Sequence, residues 1–250
     1  MKSTTRAYIN LGALVLVLLM NFLANALPLN QLTQADISEM FPVLLTPAGY
    51  VFSIWGLIYL LLTGFTVYQI IPKYRENNYV TAVGLLFAVT SLLNVVWIFA
   101  WHYLQIGVAL IIMVLLLLTL IYIYLRLERR TKENFLDFWL VKLPFSLYLA
   151  WITAAVLVNF NVWLHHLGWL DTSGFVAIIF TIIMIVMGTG IAVYIFYLNW
   201  NIAFALVLVW AFIGIGVRHG SEFVLITLVA WIAAATIVFF MGWVAAQKYR

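Results

Sequence analysis

Cysteine is absent from this sequence. That excludes disulfides, thiolate metal sites and cysteine nucleophiles. Charge is scarce as well: Asp, Glu, Lys and Arg make up 8% of the 250 residues, against 67% hydrophobic. A soluble domain carries about a quarter charged residues. So little polar surface cannot cover a water-soluble globule. The eight acidic residues all fall in loops or at helix ends. Ion-coupled pumps keep a carboxylate on the pathway, so that class is disfavoured. No lysine lies mid-helix, no glycine loop is built to cradle phosphate, and no Ser/His/Asp arrangement is present. The net charge of +4 is spread over short loops and forms no stripe, which speaks against nucleic acid. His165 and His166 are adjacent and cannot share a helical face, so they read as interfacial polar residues; no metal site is assigned.

What remains is apolar sequence in runs near 20 residues, the length a helix needs to cross about 30 Å of hydrocarbon. Eight spans are predicted: Ala7–Leu27, Gly49–Ile71, Tyr79–Trp101, Gln105–Leu127, Phe138–Leu164, Phe175–Leu198, Ile202–Val217 and Phe223–Ala246. The seventh is short and reads as a slightly tilted span or half of a re-entrant pair. The fold class is an all-α integral membrane protein, and the lipid bilayer is its first partner. Ala24-Asn25-Ala26 could end a signal peptide, but the apolar run is longer than an h-region, and a retained helix is favoured.

Loop charge sets the orientation. With the N-terminus inside, Lys2, Arg6, Lys73, Arg75, Arg126, Arg129, Arg130, Lys132, Lys248 and Arg250 are all cytoplasmic, and Arg218 alone is outside. The expectation is a multi-pass protein of the cytoplasmic membrane with both termini inside. The longest outer loop, Pro28 to Thr46, carries Asp36 and Glu39 and no base. Its apolar residues Leu32, Ile37, Met40, Phe41, Leu44 and Leu45 suit the membrane surface, and the loop reads as a lid or a plain connector.

Three spans carry a polar-aromatic stripe. Phe52, Trp55 and Tyr59 lie at i, i+3 and i+7; Asn94, Trp97 and Trp101 repeat that spacing; Tyr148, Trp151, Ala155 and Asn159 share a third face. Counting 1.5 Å per residue puts Trp55 and Asn94 about 12 Å below the outer surface. The stripes suit a flat, mostly apolar ligand with a carbonyl or ring nitrogen. The competing reading is packing. Trp and Tyr anchor helices at interfaces, as expected for Trp101, Trp139, Trp163, Trp169 and Trp200. A buried Asn also joins helices for about 0.6 kcal/mol without any ligand.

Those residues carry a resemblance. Pro47-Ala-Gly-Tyr-Val-Phe52-Ser-Ile-Trp55-Gly-Leu-Ile-Tyr59, Leu93-Asn94-Val-Val-Trp97, and Tyr148-Leu-Ala-Trp151 followed by Ala155 and Asn159 resemble the second-, third- and fifth-helix signatures of the TspO/MBR family, the tryptophan-rich sensory and translocator proteins. The resemblance covers about residues 1–165. It implies a five-helix bundle over 1–165 with a pocket toward the first loop, and a three-helix extension over 166–250. Family members bind porphyrins, sterols and aromatic amides. The resemblance implies that Trp55, Asn94, Trp151 and Ala155 line that pocket. Together with the stripes, the expectation is a ligand-binding receptor or sensor with Phe52, Trp55, Tyr59, Asn94, Trp97, Tyr148, Trp151, Ala155 and Asn159 at the ligand; no general acid or base is visible there, and no cofactor is required.

Three departures stand out. The fifth-helix proline is Pro144, with Phe145 to Leu147 before Tyr148; Thr90 replaces a common Gln; and the first loop lacks the basic, Trp-rich segment. A porphyrin's propionates would meet only Arg218 at the outer mouth, so a neutral apolar ligand fits better. A weak sterol-type pattern, Leu120-x-Tyr122-x-Tyr124-x-Arg126, ends the fourth span. In residues 166–250, Gly188, Gly190, Gly214 and Gly216 permit close helix packing, on the bundle or between two copies in a homodimer. The alternatives are an exporter of a neutral hydrophobic compound and a structural partner of another membrane complex.

Overall fold

The computed structural model describes residues 2–27, 29–171 and 174–248. Pro28, which opens the first outer loop, and Arg250, among the expected inner charges, lie outside the described residues. Among those described, regular structure is helical apart from one isolated bridge between Leu29 and Leu32. The helices are α1 Ser3–Ala26, α2 Gln34–Met40, α3 Ile54–Ile70, α4 Asn78–Val83, α5 Leu86–His102, α6 Ile106–Glu128, α7 Phe135–Asp137, α8 Leu143–His166, α9 Phe175–Asn199, α10 Ile202–His219 and α11 Val224–Lys248. Among the described residues, seven helical stretches are long and apolar enough to cross a membrane, and α5 is a shorter apolar helix. The protein is an all-α, multi-pass membrane protein, because in hydrocarbon a helix satisfies every backbone group within itself.

The third span departs from the sequence reading. It is not continuous from Tyr79, but breaks at Gly84 into α4 and α5. Gly84 has φ +61°, a conformation that suits glycine and cannot continue a right-handed helix. Asn77 starts α4 by accepting from the Tyr79 and Val80 amides at 2.7 and 3.4 Å. The fifth span is longer than expected and runs from Phe135 to His166. Pro144 lacks an N–H and crowds the carbonyl of Leu140. The turn just before it, Phe138–Lys142, is widened to a π turn, with the Leu143 amide donating to the Phe138 carbonyl, so the helix continues. The seventh span is a plain 18-residue helix, α10, not a re-entrant pair.

The chain forms two compact units. One holds the chain to Met40 together with Trp55–Ile152; the other holds Phe41–Ile54 together with the chain from Thr153. The units part inside α8, and the second half of the first loop belongs with the C-terminal helices. This differs from the division after residue 165 drawn from the sequence.

In the first unit α1 packs on α5 and α5 on α6. The buried residues of α1 (Ala7, Asn10, Leu14, Val17 and Ala24) repeat every three to four residues and form one stripe. At one end of this unit Asp137 is buried, accepting from Asn77 Nδ2 at 2.8 Å and Tyr68 Oη at 3.1 Å. Lys142 pairs with Glu133 and Glu128 at 2.9 and 3.2 Å.

In the second unit α10 packs against both α9 and α11. Gly216 lies against the Trp231 indole so closely that a Cβ there would collide with it. The segment from Phe41 to Ile54 is tied to α10. His219 Nε2 lies 2.6 Å from the Leu44 carbonyl, the Ala48 amide donates to the Gly214 carbonyl at 3.0 Å, and Trp210 Nε1 donates to the Val51 carbonyl at 3.0 Å. Gly214 is in direct contact with Val51, again with no room for a Cβ.

Three of the six apolar residues expected at the membrane surface are instead packed inside the protein. Ile37, Leu44 and Leu45 are buried, and of the six apolar residues Met40 is the most exposed, at 49%. Its helix α2 starts with a reciprocal cap. The Thr33 amide and hydroxyl both donate to Asp36 Oδ2, at 2.7 and 2.8 Å, and hold that carboxyl below its usual range.

Candidate functional site

The first unit gathers five of the nine expected residues. Trp55 and Tyr59, one turn apart on α3, stack with centroids 5.1 Å apart at 16°. Two rings from α8 meet Trp55 edge-on: Tyr148 at 5.8 Å and Trp151 at 6.3 Å. Such offset and edge contacts suit the ring quadrupoles and add about 0.5–1.5 kcal/mol each beyond area burial. Asn94 on α5 is 2% exposed, and its amide lies beside the hydroxyls of Tyr148 and Tyr59. The Tyr59 hydroxyl is buried and makes no hydrogen bond of normal geometry.

The sequence reading missed Asn21. From α1 it donates to Asn94 Oδ1 at 3.0 Å and to the Val17 carbonyl at 2.9 Å. Asn94 therefore has its oxygen engaged by protein and turns its NH2 toward the tyrosines. The available signal was spacing: Asn10 and Asn21 sit eleven residues, about three turns, apart in an apolar run. Asn10 is also fully buried and donates to Gln69 Oε1 and the Gly84 carbonyl, each at 2.9 Å.

The other four expected residues are placed differently. Trp97 stacks on Trp101 at 5.6 Å and 20°. Trp101 is consequently buried at 7% and is more than the interfacial anchor expected of it. Phe52, Ala155 and Asn159 belong to the second unit. There Phe52 is 40% exposed on a 3-10 turn, and Asn159 Nδ2 donates to the Ala155 carbonyl of its own helix at 2.9 Å. His165 and His166 both meet Phe41 edge-on, at 6.2 and 6.0 Å.

The family described as TSPO-like protein matches residues 7–243. The chain belongs to the TSPO-like family. The match takes in α9 to α11, beyond the residues 1–165 that carry the sequence resemblance. No curated protein and no solved structure matches the chain. Membership makes this TSPO-like chain a membrane protein of the sensor or receptor type.

Below the cluster, toward the Ile70 end of α3, the TSPO-like protein packs three phenylalanines together. Phe65, Phe87 and Phe145 pack edge-to-face at 5.5, 5.1 and 6.2 Å, each no more than 1% exposed. They lie six or seven residues, about 9–10 Å, beyond Tyr59, Asn94 and Trp151 on α3, α5 and α8.

Proposed function

We propose that this protein is a membrane receptor or sensor that binds a small, neutral, flat hydrophobic ligand at the Trp55–Tyr59–Asn94–Tyr148–Trp151 cluster. Trp55 and Trp151 act as stacking walls, and the Asn94 NH2 is the polar anchor for a carbonyl or ring nitrogen. The observation that carries this reading is the buried Tyr59 hydroxyl beside Asn94, which makes no hydrogen bond of normal geometry. A buried polar group without a full complement of partners costs free energy, and the Tyr59 hydroxyl remains in that state. A ligand carbonyl would satisfy it. No Lys, Arg, Asp or Glu belongs to the cluster, which supports a neutral ligand over a porphyrin dianion. The orientation with both termini cytoplasmic belongs to the same proposal and puts the cluster in the outer leaflet.

Transport of the ligand is the weaker reading, because the buried Phe65–Phe87–Phe145 triad stands across the inward route. The test is tryptophan fluorescence of purified protein, titrated with a neutral aromatic amide and separately with protoporphyrin. Saturable quenching by the amide is expected, about tenfold weaker in Asn94→Leu and Trp55→Phe, a change of roughly 1.4 kcal/mol. No saturable response to either ligand would sink the receptor reading. Ligand flux in proteoliposomes made with the wild type would favour export.

A further inference from the structure

A groove of about 450 Å³ runs along the outside of the first unit between α5 and α6. On α5 it is lined by Leu86, Val89 and Leu93, at i, i+3 and i+7; on α6 by Leu115, Leu118 and Tyr122, at the same spacing. The two stripes face each other over seven residues, about 10 Å of helix. Thr119 also lines it, and its hydroxyl is turned back to the Leu115 carbonyl at 2.8 Å. The wall offered to a ligand is therefore apolar. At one end the same α6 stripe continues to Arg126, whose guanidinium carbon lies 5.6 Å from the centre of the Tyr122 ring. Among the described residues the ion pairs are those of Lys142 with Glu128 and Glu133, so the acids nearest in sequence are engaged elsewhere.

We propose that this groove binds one anionic phospholipid, an acyl chain lying between α5 and α6 and the phosphate held by Arg126. Length and charge both point to that occupant. From Arg126 to Leu115 is eleven residues, about 16 Å, which matches half of a hydrocarbon core of about 30 Å. A headgroup at Arg126 would sit at the bilayer surface while its chain filled the groove. The ring beneath the guanidinium holds the cation over the groove's end. A zwitterionic lipid would bring a second cation beside Arg126, and an anionic one does not.

The experiment uses the whole protein, delipidated in detergent and offered equal amounts of dioleoyl phosphatidylglycerol and dioleoyl phosphatidylcholine, with retained lipid read by native mass spectrometry. The wild type should retain one phosphatidylglycerol about fivefold over phosphatidylcholine, the worth of one basic residue beside an anionic surface. Arg126→Gln should bring that ratio near one. Leu118→Trp, which fills the groove from a position 55% exposed, should lower retention of both lipids with Arg126 still present. If Leu118→Trp does not fold, Val89→Trp blocks the facing wall to the same end. Equal retention of the two lipids by the wild type would overturn the proposal. So would undiminished phosphatidylglycerol in a groove-filled variant that folds, because the guanidinium alone would then suffice.

Discussion

The two units differ in what their polar side chains join. In the second unit each named polar contact ends on backbone: His219 on the Leu44 carbonyl, Trp210 on Val51, and the Ala48 amide on Gly214. These bonds fasten a loop to α10. In the first unit, polar side chains meet one another inside an aromatic cluster, and the account does not close. Asn21 takes the Asn94 oxygen, while the Tyr59 hydroxyl stays buried and unbonded. Buried polar groups are as a rule satisfied. Side chains that end on the backbone of a loop make a clamp, and an unbonded hydroxyl beside flat rings marks a place where a ligand can be favourable.

A large effect should come from the clamp. Gly214→Val must displace Val51 and is expected to cost about 1–3 kcal/mol of overpacking, read as a fall in Tm in detergent. A variant as stable as the wild type would break the view that the loop is fastened there. Phe65→Ala, in the phenylalanine triad of the first unit, should cost about 3–5 kcal/mol, whereas Phe65→Leu should stay within about 1.5 kcal/mol. If Phe65→Leu in proteoliposomes lets ligand through and the wild type does not, the triad is the barrier that argues against export. Trp210→Phe loses one hydrogen bond and should cost about 1 kcal/mol, without changing ligand quenching.

Asn94→Leu should show the reverse pattern. Its stability should change by roughly 0.6 kcal/mol, while affinity for a carbonyl-bearing ligand falls about tenfold. Equal loss in both measurements would mean that Asn94 is only packing. The smallest effect is expected at Asp36. Its carboxyl is held low by the Thr33 donors, so the cap is intact above the ordinary carboxylate range and weakens only as pH falls through the lowered value. Protection factors of the α2 amides, taken relative to the intrinsic exchange rate at each pH, should be unaffected by that titration near neutral pH and fall on strong acidification. Asp36→Asn should remove the acid-dependent step.

The sequence by itself determined the solvent, the helices and the family. With so few charges the chain has no alternative to a bilayer, and a 1.5 Å rise turns apolar run length directly into spans. The stripes on α3, α5 and α8 were also legible, because i, i+3 and i+7 share a face whatever the neighbours do. Trp55, Tyr59, Asn94, Tyr148 and Trp151 do come together. Periodicity, however, says which residues share a face and not which helix that face meets. Only the tertiary structure decided that Asn21 is the partner of Asn94, that Trp97 turns to Trp101, and that Ala155 and Asn159 go with the second unit. The break at Gly84 was hidden because glycine is tolerated within membrane helices, and its positive φ belongs to the folded chain. The docking of Phe41–Ile54 on α10 joins residues some 160 to 175 positions apart. No local pattern encodes such a pairing, because it depends on Gly214 having no side chain where loop and helix have to touch.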